Sequence, residues 1–265
     1  MKSFEAICKE TCTLTKQTGD FIRQQRKNFS FSSVEKKGFN DLVSYVDITA
    51  EKMLVEGLQK ILPGSGFITE ENTLNIEGKE FQWIIDPLDG TTNFVHGVPC
   101  FCISVALMQN EKITIGVIYE INLDECFYAW KDSPAFLNEK EIKVSVIDKL
   151  KDSLLATGFP YTNFERMQPY MEVFDFCMRN THGLRRLGSA AVDMAYVAAG
   201  RFEGFYEYGL NAWDVAAGAF IIERAGGKVS DFSGGDNYIF GKEIIATNSA
   251  ISKEFLDVVR QKFNP

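Results

Sequence analysis

The sequence predicts a layered protein of mixed α/β (α+β) class. Three observations point there. From about residue 150 onward, short apolar runs alternate with helical stretches. Between residues 66 and 130, runs with β-type composition follow one another across short breaks. The 265 residues are 45% hydrophobic and 24% charged, with no Pro/Ser/Gly-rich linker, which is enough apolar material for a large core. Alternation of this kind argues against an all-β barrel or a helical bundle.

Taken in order, residues 3–27 read as a helix, with Phe4, Ile7, Cys8, Leu14, Phe21 and Ile22 at helical spacing. A second helix is expected over 48–61, with Asp47 ahead of it, Met53, Leu54, Leu58 and Ile61 on its apolar side, and Pro63-Gly64 ending it. Strands are expected at 66–69, 81–86, 101–108, 113–120 and 125–130. The break at Asn110-Glu111-Lys112 reads as a hairpin, so this sheet should be antiparallel in part. The later strands fall at 153–157, 183–187, 202–207, 227–230 and 243–246, and the helices at 163–180, 189–199, 214–225 and 252–263. We expect an N-terminal half, 1–147, and a C-terminal half, 148–265, packed as one unit.

A net charge of -8 argues against a broad grip on nucleic acid. The N-terminal charges are scattered, unlike a secretion signal, and no run approaches the roughly 20 apolar residues of a membrane span. Six cysteines without C-x-x-C pairing, beside only two histidines, argue against a zinc site and read as reduced, mostly buried thiols of a cytoplasmic protein.

The chemistry concentrates in "WIIDPLDGTTNFVHG", residues 83–97. Asp86 ends an apolar strand, Pro87 is expected to turn the chain, and Asp89 comes back toward Asp86. Two carboxylates so close repel unless a cation or a proton is shared between them. A divalent metal resolves the repulsion, and Mg²⁺ wants several hard oxygen ligands. Glu70, Glu71, Asp214 and Asp47 supply further carboxylates, each after a short apolar stretch and before a helix or turn. Gly90, Thr91 and Thr92 would open a helix whose first N–H groups favour an anion. A phosphate would then lie between metal and helix. Taken singly, Asp47, Asp89 and Asp214 read as ordinary helix caps; only together do they favour a site. His96 reads as a packing or hydrogen-bonding residue and Trp213 as core. Of the neighbours Arg185 and Arg186, at most one should face a given site.

These residues resemble the inositol monophosphatase family of Mg²⁺-dependent, lithium-sensitive phosphatases. "DPLDGTTNFVHG" matches the family's D-P-(I/L)-D-G-T-x-N-F motif, "WDVAAGAFIIERAGG" matches its W-D-x-A-A-G motif, and the match spans essentially the whole chain. The resemblance implies an αβαβα layered sandwich of the sugar-phosphatase type, usually a homodimer. It implies that Glu70, Asp86 and the Leu88 carbonyl hold one Mg²⁺, that Asp86, Asp89 and Asp214 hold a second, and that a third leans on Glu70. Thr91, oriented by Asp47, would position the attacking water, and the N–H groups of Gly90, Thr91 and Thr92 would bind phosphate. Gly188, Ser189, Ala190, Glu207, Asn211 and Asp214 would line the alcohol side. Two departures stand out. Asn211 replaces the animal enzymes' histidine, which bears on inositol preference, and Thr69 replaces a usual glycine, expected to alter only a loop.

The implied reaction is hydrolysis of inositol monophosphate or a related sugar or polyol phosphate. A 3′(2′),5′-bisphosphate nucleotidase, a fructose-1,6-bisphosphatase and a histidinol-phosphate phosphatase are the alternatives within the same chemistry. A role as a binding partner of the transcription machinery, as in a bacterial relative of the family, is the alternative of another kind.

Overall fold

A computed structural model describes residues 2–29, 34–36, 42–71, 80–160 and 163–263. Helix α1 (Phe4–Lys27) starts at Ser3, whose hydroxyl accepts the Ala6 N–H at 3.2 Å. An unanticipated antiparallel pair follows, β1 (Val34–Lys36) with β2 (Leu42–Ser44). Helix α2 (Tyr45–Ile61) then begins three residues before the expected start. The reason is a capping box. The Ser44 N–H donates to Asp47 Oδ2 at 2.9 Å while the Val46 N–H donates to Ser44 Oγ at 3.1 Å. Asp47 therefore sits inside the first turn, not ahead of it.

Seven strands form the first sheet: β3 (Gly66–Thr69), β4 (Phe81–Asp89), β5 (Cys102–Gln109), β6 (Lys112–Glu120), β7 (Glu125–Trp130), β8 (Ala135–Leu137) and β9 (Lys140–Ile142), in that spatial order. A six-residue helix, α3 (Thr91–His96), separates β4 from β5. Only β3–β4 is parallel, and the other pairs are antiparallel. The predicted hairpin is present. Its loop is Asn110-Glu111, both at positive φ (47° and 65°), the backbone that matches a two-residue turn to the strand twist. Asn138-Glu139 (45° and 70°) repeats it between β8 and β9, two strands too short to show a period in the sequence.

The second sheet has the order β11–β10–β12–β14–β13, from β10 (Leu154–Thr157), β11 (Gly183–Arg185), β12 (Gly204–Tyr208), β13 (Lys228–Ser230) and β14 (Glu243–Thr247). Strand β10 runs parallel to β11 and β12, and β14 runs antiparallel to β12 and β13. The helices between are α4 (Met167–Asn180), α5 (Ala190–Ala198), α6 (Ala212–Arg224) and α7 (Ser252–Phe263). Helix α4 begins later than the predicted 163. Asn163 Oδ1 instead accepts the Glu165 N–H at 3.0 Å, holding that stretch as a turn.

The layers follow from burial. Ile7 and Ile22 of α1 and Leu54 and Leu58 of α2 pack on Trp83, Ile85, Ile103 and Val105 of the large sheet. Its opposite face, with Ile84, Ala106 and Ile118, meets Met194 of α5 and Ala217 and Ile221 of α6, and these meet Phe205 and Ala246 of the small sheet. The far side of the small sheet, Tyr206 and Ile245, packs on Tyr170 of α4 and Phe255 of α7. The order is αβαβα. Strands covered on both faces read as near-continuous apolar runs, and helices caught between two sheets are apolar all round, as "AAVDMAYVA" and "AWDVAAGAFIIER" are. Among the described residues, no helix is long and apolar enough to cross a membrane.

Candidate active site and metal centre

Residues three apart on a regular strand point to opposite faces. Asp86 and Asp89 do not, because β4 bulges between them. Asp86 pairs with Ser104 and Asp89 with Cys102, so three steps on β4 match two on β5. The extra residue restores the parity and turns both carboxylates toward the middle helices. Pro87, which has no N–H to donate, sits where the ladder is interrupted. It was expected to end the strand after Asp86; the strand instead runs on to Asp89.

Asp214 meets them from α6. It is the third helical residue, not the first, and its Oδ2 accepts the Asn211 N–H at 2.6 Å. One oxygen thus fixes the side chain and the other faces the cleft. Oxygens of Asp86, Asp89 and Asp214 lie within 4.8 Å of one another. Burial and the charges of Glu70, Asp89 and Asp214 push the Asp86 carboxyl well above the usual carboxylate range. Burial, then Asp89, raises Asp214 to about 7. Asp89 is raised by burial, against the opposing pull of the Ser189 hydroxyl and the N–H groups of Ala191 and Ala190. Crowded, buried, all-oxygen donors of this kind suit a hard divalent cation, which would let all three ionise together.

Glu70 follows β3, where the parallel pairing with β4 delivers it beside Asp86. Leu88 also lines the cleft, its carbonyl 3.0 Å from Thr91 Oγ1. The same hydroxyl lies 3.0 Å from Asp47 Oδ1. Asp47 itself is buried beneath the cleft wall, its pKa raised by that burial. Gly90 holds φ at 97° ahead of α3, and a Cβ there would lie 3.0 Å from the Cys100 carbonyl, so both the left-handed backbone and the close approach to the Cys100–Phe101 segment favour glycine. Thr92 is exposed at the rim.

Gly188, Ser189 and Ala190 line the opposite wall at the start of α5. Ser189 Oγ and the Ala191 N–H both donate to Asp89 Oδ2 at 2.7 Å. Glu207 and Asn211 complete the predicted set around a cleft of about 320 Å³. Asp47 reaches the cleft through Thr91, Glu71 does not border it, and every other predicted site residue lines it.

Of the two neighbouring arginines the structure selects one, and further lining residues escaped the sequence reading. Arg186 borders the cleft and opposes Asp89, Asp193 and Glu207, whereas Arg185 is exposed and donates to the Leu184 carbonyl, so one of the pair serves the site. Asp193 is buried on α5, its pKa pushed well up by that burial and by Glu207. A charge within an otherwise apolar helix was the available signal. Trp213, expected in the core, is half-buried and lines the cleft. All six cysteines are free, five of them buried.

Comparison with known proteins gives consistent matches. A sequence model of the inositol monophosphatase family matches residues 5–263. An inositol-1-monophosphatase of Mesorhizobium japonicum is 42% identical over 230 residues, 86% of either chain. A Nus factor SuhB of Haemophilus influenzae is 39% identical over 247 residues, 92% of either chain. The solved structure of the extragenic suppressor protein suhB of Bartonella henselae superposes with a TM-score of 0.91 at 38% identity, covering 97% of this chain and 99% of that one.

Proposed function

Because the chain belongs to the inositol monophosphatase family, we propose that it is a Mg²⁺-dependent phosphomonoesterase that releases inorganic phosphate from inositol monophosphate or a related sugar or polyol phosphate. The observation that carries this reading is the convergence of Asp86, Asp89 and Asp214 oxygens within 4.8 Å at one wall of the cleft. Asp86, Asp89 and Asp214 would hold one ion and Glu70, Asp86 and the Leu88 carbonyl another, with a third, weaker ion leaning on Glu70. Bound there, the ions neutralise phosphoryl oxygens and make water a stronger acid.

The chain's own residues do the rest. The Thr91 hydroxyl, directed at Asp47 Oδ1, turns its lone pairs to the cleft, where they accept a hydrogen bond from the attacking water. Asp47, held by Ser44, fixes that rotor and takes up proton density. N–H groups of Gly90, Thr91 and Thr92 hold phosphate oxygens, and Glu207 and Asn211 accept or donate to alcohol hydroxyls. Arg186 supplies positive charge opposite Asp89, Asp193 and Glu207.

Phosphate release from inositol 1-phosphate, sugar monophosphates, fructose 1,6-bisphosphate and phosphoadenosine phosphate, with Mg²⁺ and with chelator, tests the reading and separates it from the bisphosphatase and nucleotidase alternatives. We expect Mg²⁺-dependent turnover, highest on the inositol or a sugar monophosphate; absence of turnover on every such ester would overturn it. A homodimer and inhibition by Li⁺ belong to the same proposal. The relatives named Nus factor SuhB support a second reading, a role with the transcription machinery. Recovery of RNA polymerase by an Asp86→Asn variant would establish that role independently of catalysis.

A further inference from the structure

The fully buried carboxylate of Glu51 lies outside the site described above, one helical turn after Asp47 on α2. Its two oxygens reach the end of β3. Thr69 Oγ1 donates to Oε1 at 3.0 Å, and the Glu71 N–H donates to Oε2 at 2.8 Å. The residue between those two donors is Glu70, whose own N–H donates to the Ile85 carbonyl of β4 at 3.3 Å. Three consecutive residues are thus tied from below, and the middle one points its carboxylate at Asp86.

We propose that Glu51 is a positioning residue for Glu70, acting through Thr69 and Glu71, and that α2 aligns both sides of the site from one face. Residues i and i+4 stack on a helix. Asp47 grips Thr91 and, one turn on, Glu51 grips the shoulders of Glu70. Two elements distant in sequence, the end of β3 and the start of α3, are held at a fixed spacing by a single rigid rod. Thr69, expected to alter only a loop, is instead 3% exposed and is one of the two arms of this clamp. The clamp fixes the backbone on either side of Glu70 before a cation arrives, so less ordering is left to be done at the moment of binding.

The proposal rests on the reading of Glu70 as a metal ligand, and its test separates the two. Thr69→Val is nearly isosteric and deletes one arm, and Glu51→Ala deletes both. Glu51→Gln keeps both, because its carbonyl accepts the Glu71 N–H and its amide donates to the Thr69 hydroxyl, which accepts as readily as it donates. Calorimetric titration of each protein with Mg²⁺ gives the affinity directly, with Asp86→Asn as the control for the site itself. We expect roughly 10-fold weaker binding for Thr69→Val, at least about that for Glu51→Ala, and recovery to within about 2-fold of wild type for Glu51→Gln. In turnover, the Mg²⁺ activation constant should rise more than kcat falls at saturating Mg²⁺. If wild type binds no divalent ion, the metal reading fails and the proposal with it. If wild type binds and both Thr69→Val and Glu51→Ala bind as tightly, the positioning role alone is overturned. A lower Tm with unchanged affinity is that same result, since it marks packing and nothing more. Should Glu51→Ala fail to fold, Thr69→Val alone decides.

Discussion

At the scale of single residues, the site is built from carboxylates that the fold holds in the wrong place for an unpaired charge. Asp214 is raised to about 7 by burial and by Asp89, and Asp86 is raised well above the usual carboxylate range by burial and by Glu70. In the unfolded chain both titrate near pH ~3.9. The ion-free folded state therefore holds these protons more tightly. Their contribution to stability is complete below about pH 4 and is lost as pH rises, for Asp214 through about 7. A divalent cation competes for the same oxygens, so its binding should strengthen across that interval. Calorimetric Tm values with and without Mg²⁺ should show a small increment at pH 5 and a larger one at pH 8, with Asp214→Asn shrinking the difference. An increment independent of pH would contradict the assignment. The sequence made Asp86, Asp89 and Asp214 legible through the two motifs that hold them, each aspartate directly following apolar residues. Asp193 was not, and Arg186 could not be told from Arg185, because which side of a chain faces a cleft depends on the elements packed around it.

Among the secondary elements, local rules carried most of the reading. The helical periods of α1 and α7, strands β3 to β7 of the large sheet and the Asn110 turn all appear where propensity puts them. What escaped depended on partners. The bulge after Asp86 is set by the register of β5, and β8 and β9 gain their identity only by pairing with β7 and with each other. The capping box of α2 also escaped, although Ser44-x-x-Asp47 is a legible pattern for it. Close helix-on-sheet packing leaves its own trace. At Gly116 of β6 an added Cβ would lie 2.7 Å from the Ala217 carbonyl of α6, backbone against backbone. Gly116→Ala should therefore destabilise by about 1–3 kcal/mol in urea denaturation, with the slope unchanged. An unaltered midpoint would mean that α6 can move away, and that the middle layer is less tightly held than these contacts imply.

For the whole molecule, the layered order explains why a cleft forms where it does. Strands β3 and β4 of the large sheet end on one wall, and the middle helices α5 and α6 start on the other. Helix starts favour negative charge, so the two central helices stabilise the carboxylates set against them, Asp89 over Ser189 and Asp214 over Asn211. Mutual repulsion among the carboxylates then creates the demand for a cation. The alternation of elements made the layering legible, whereas the meeting of β4 with α5 and α6 is a product of packing that no local pattern encodes. The most direct test is phosphate release from inositol 1-phosphate by wild type and by Asp86→Asn, each with saturating Mg²⁺ and each with chelator. The account predicts turnover only for wild type with Mg²⁺, and a loss of at least about 100-fold in kcat for the variant, the scale of removing one charge-stabilising group. Near-normal turnover by Asp86→Asn, or undiminished turnover by wild type in chelator, would contradict it.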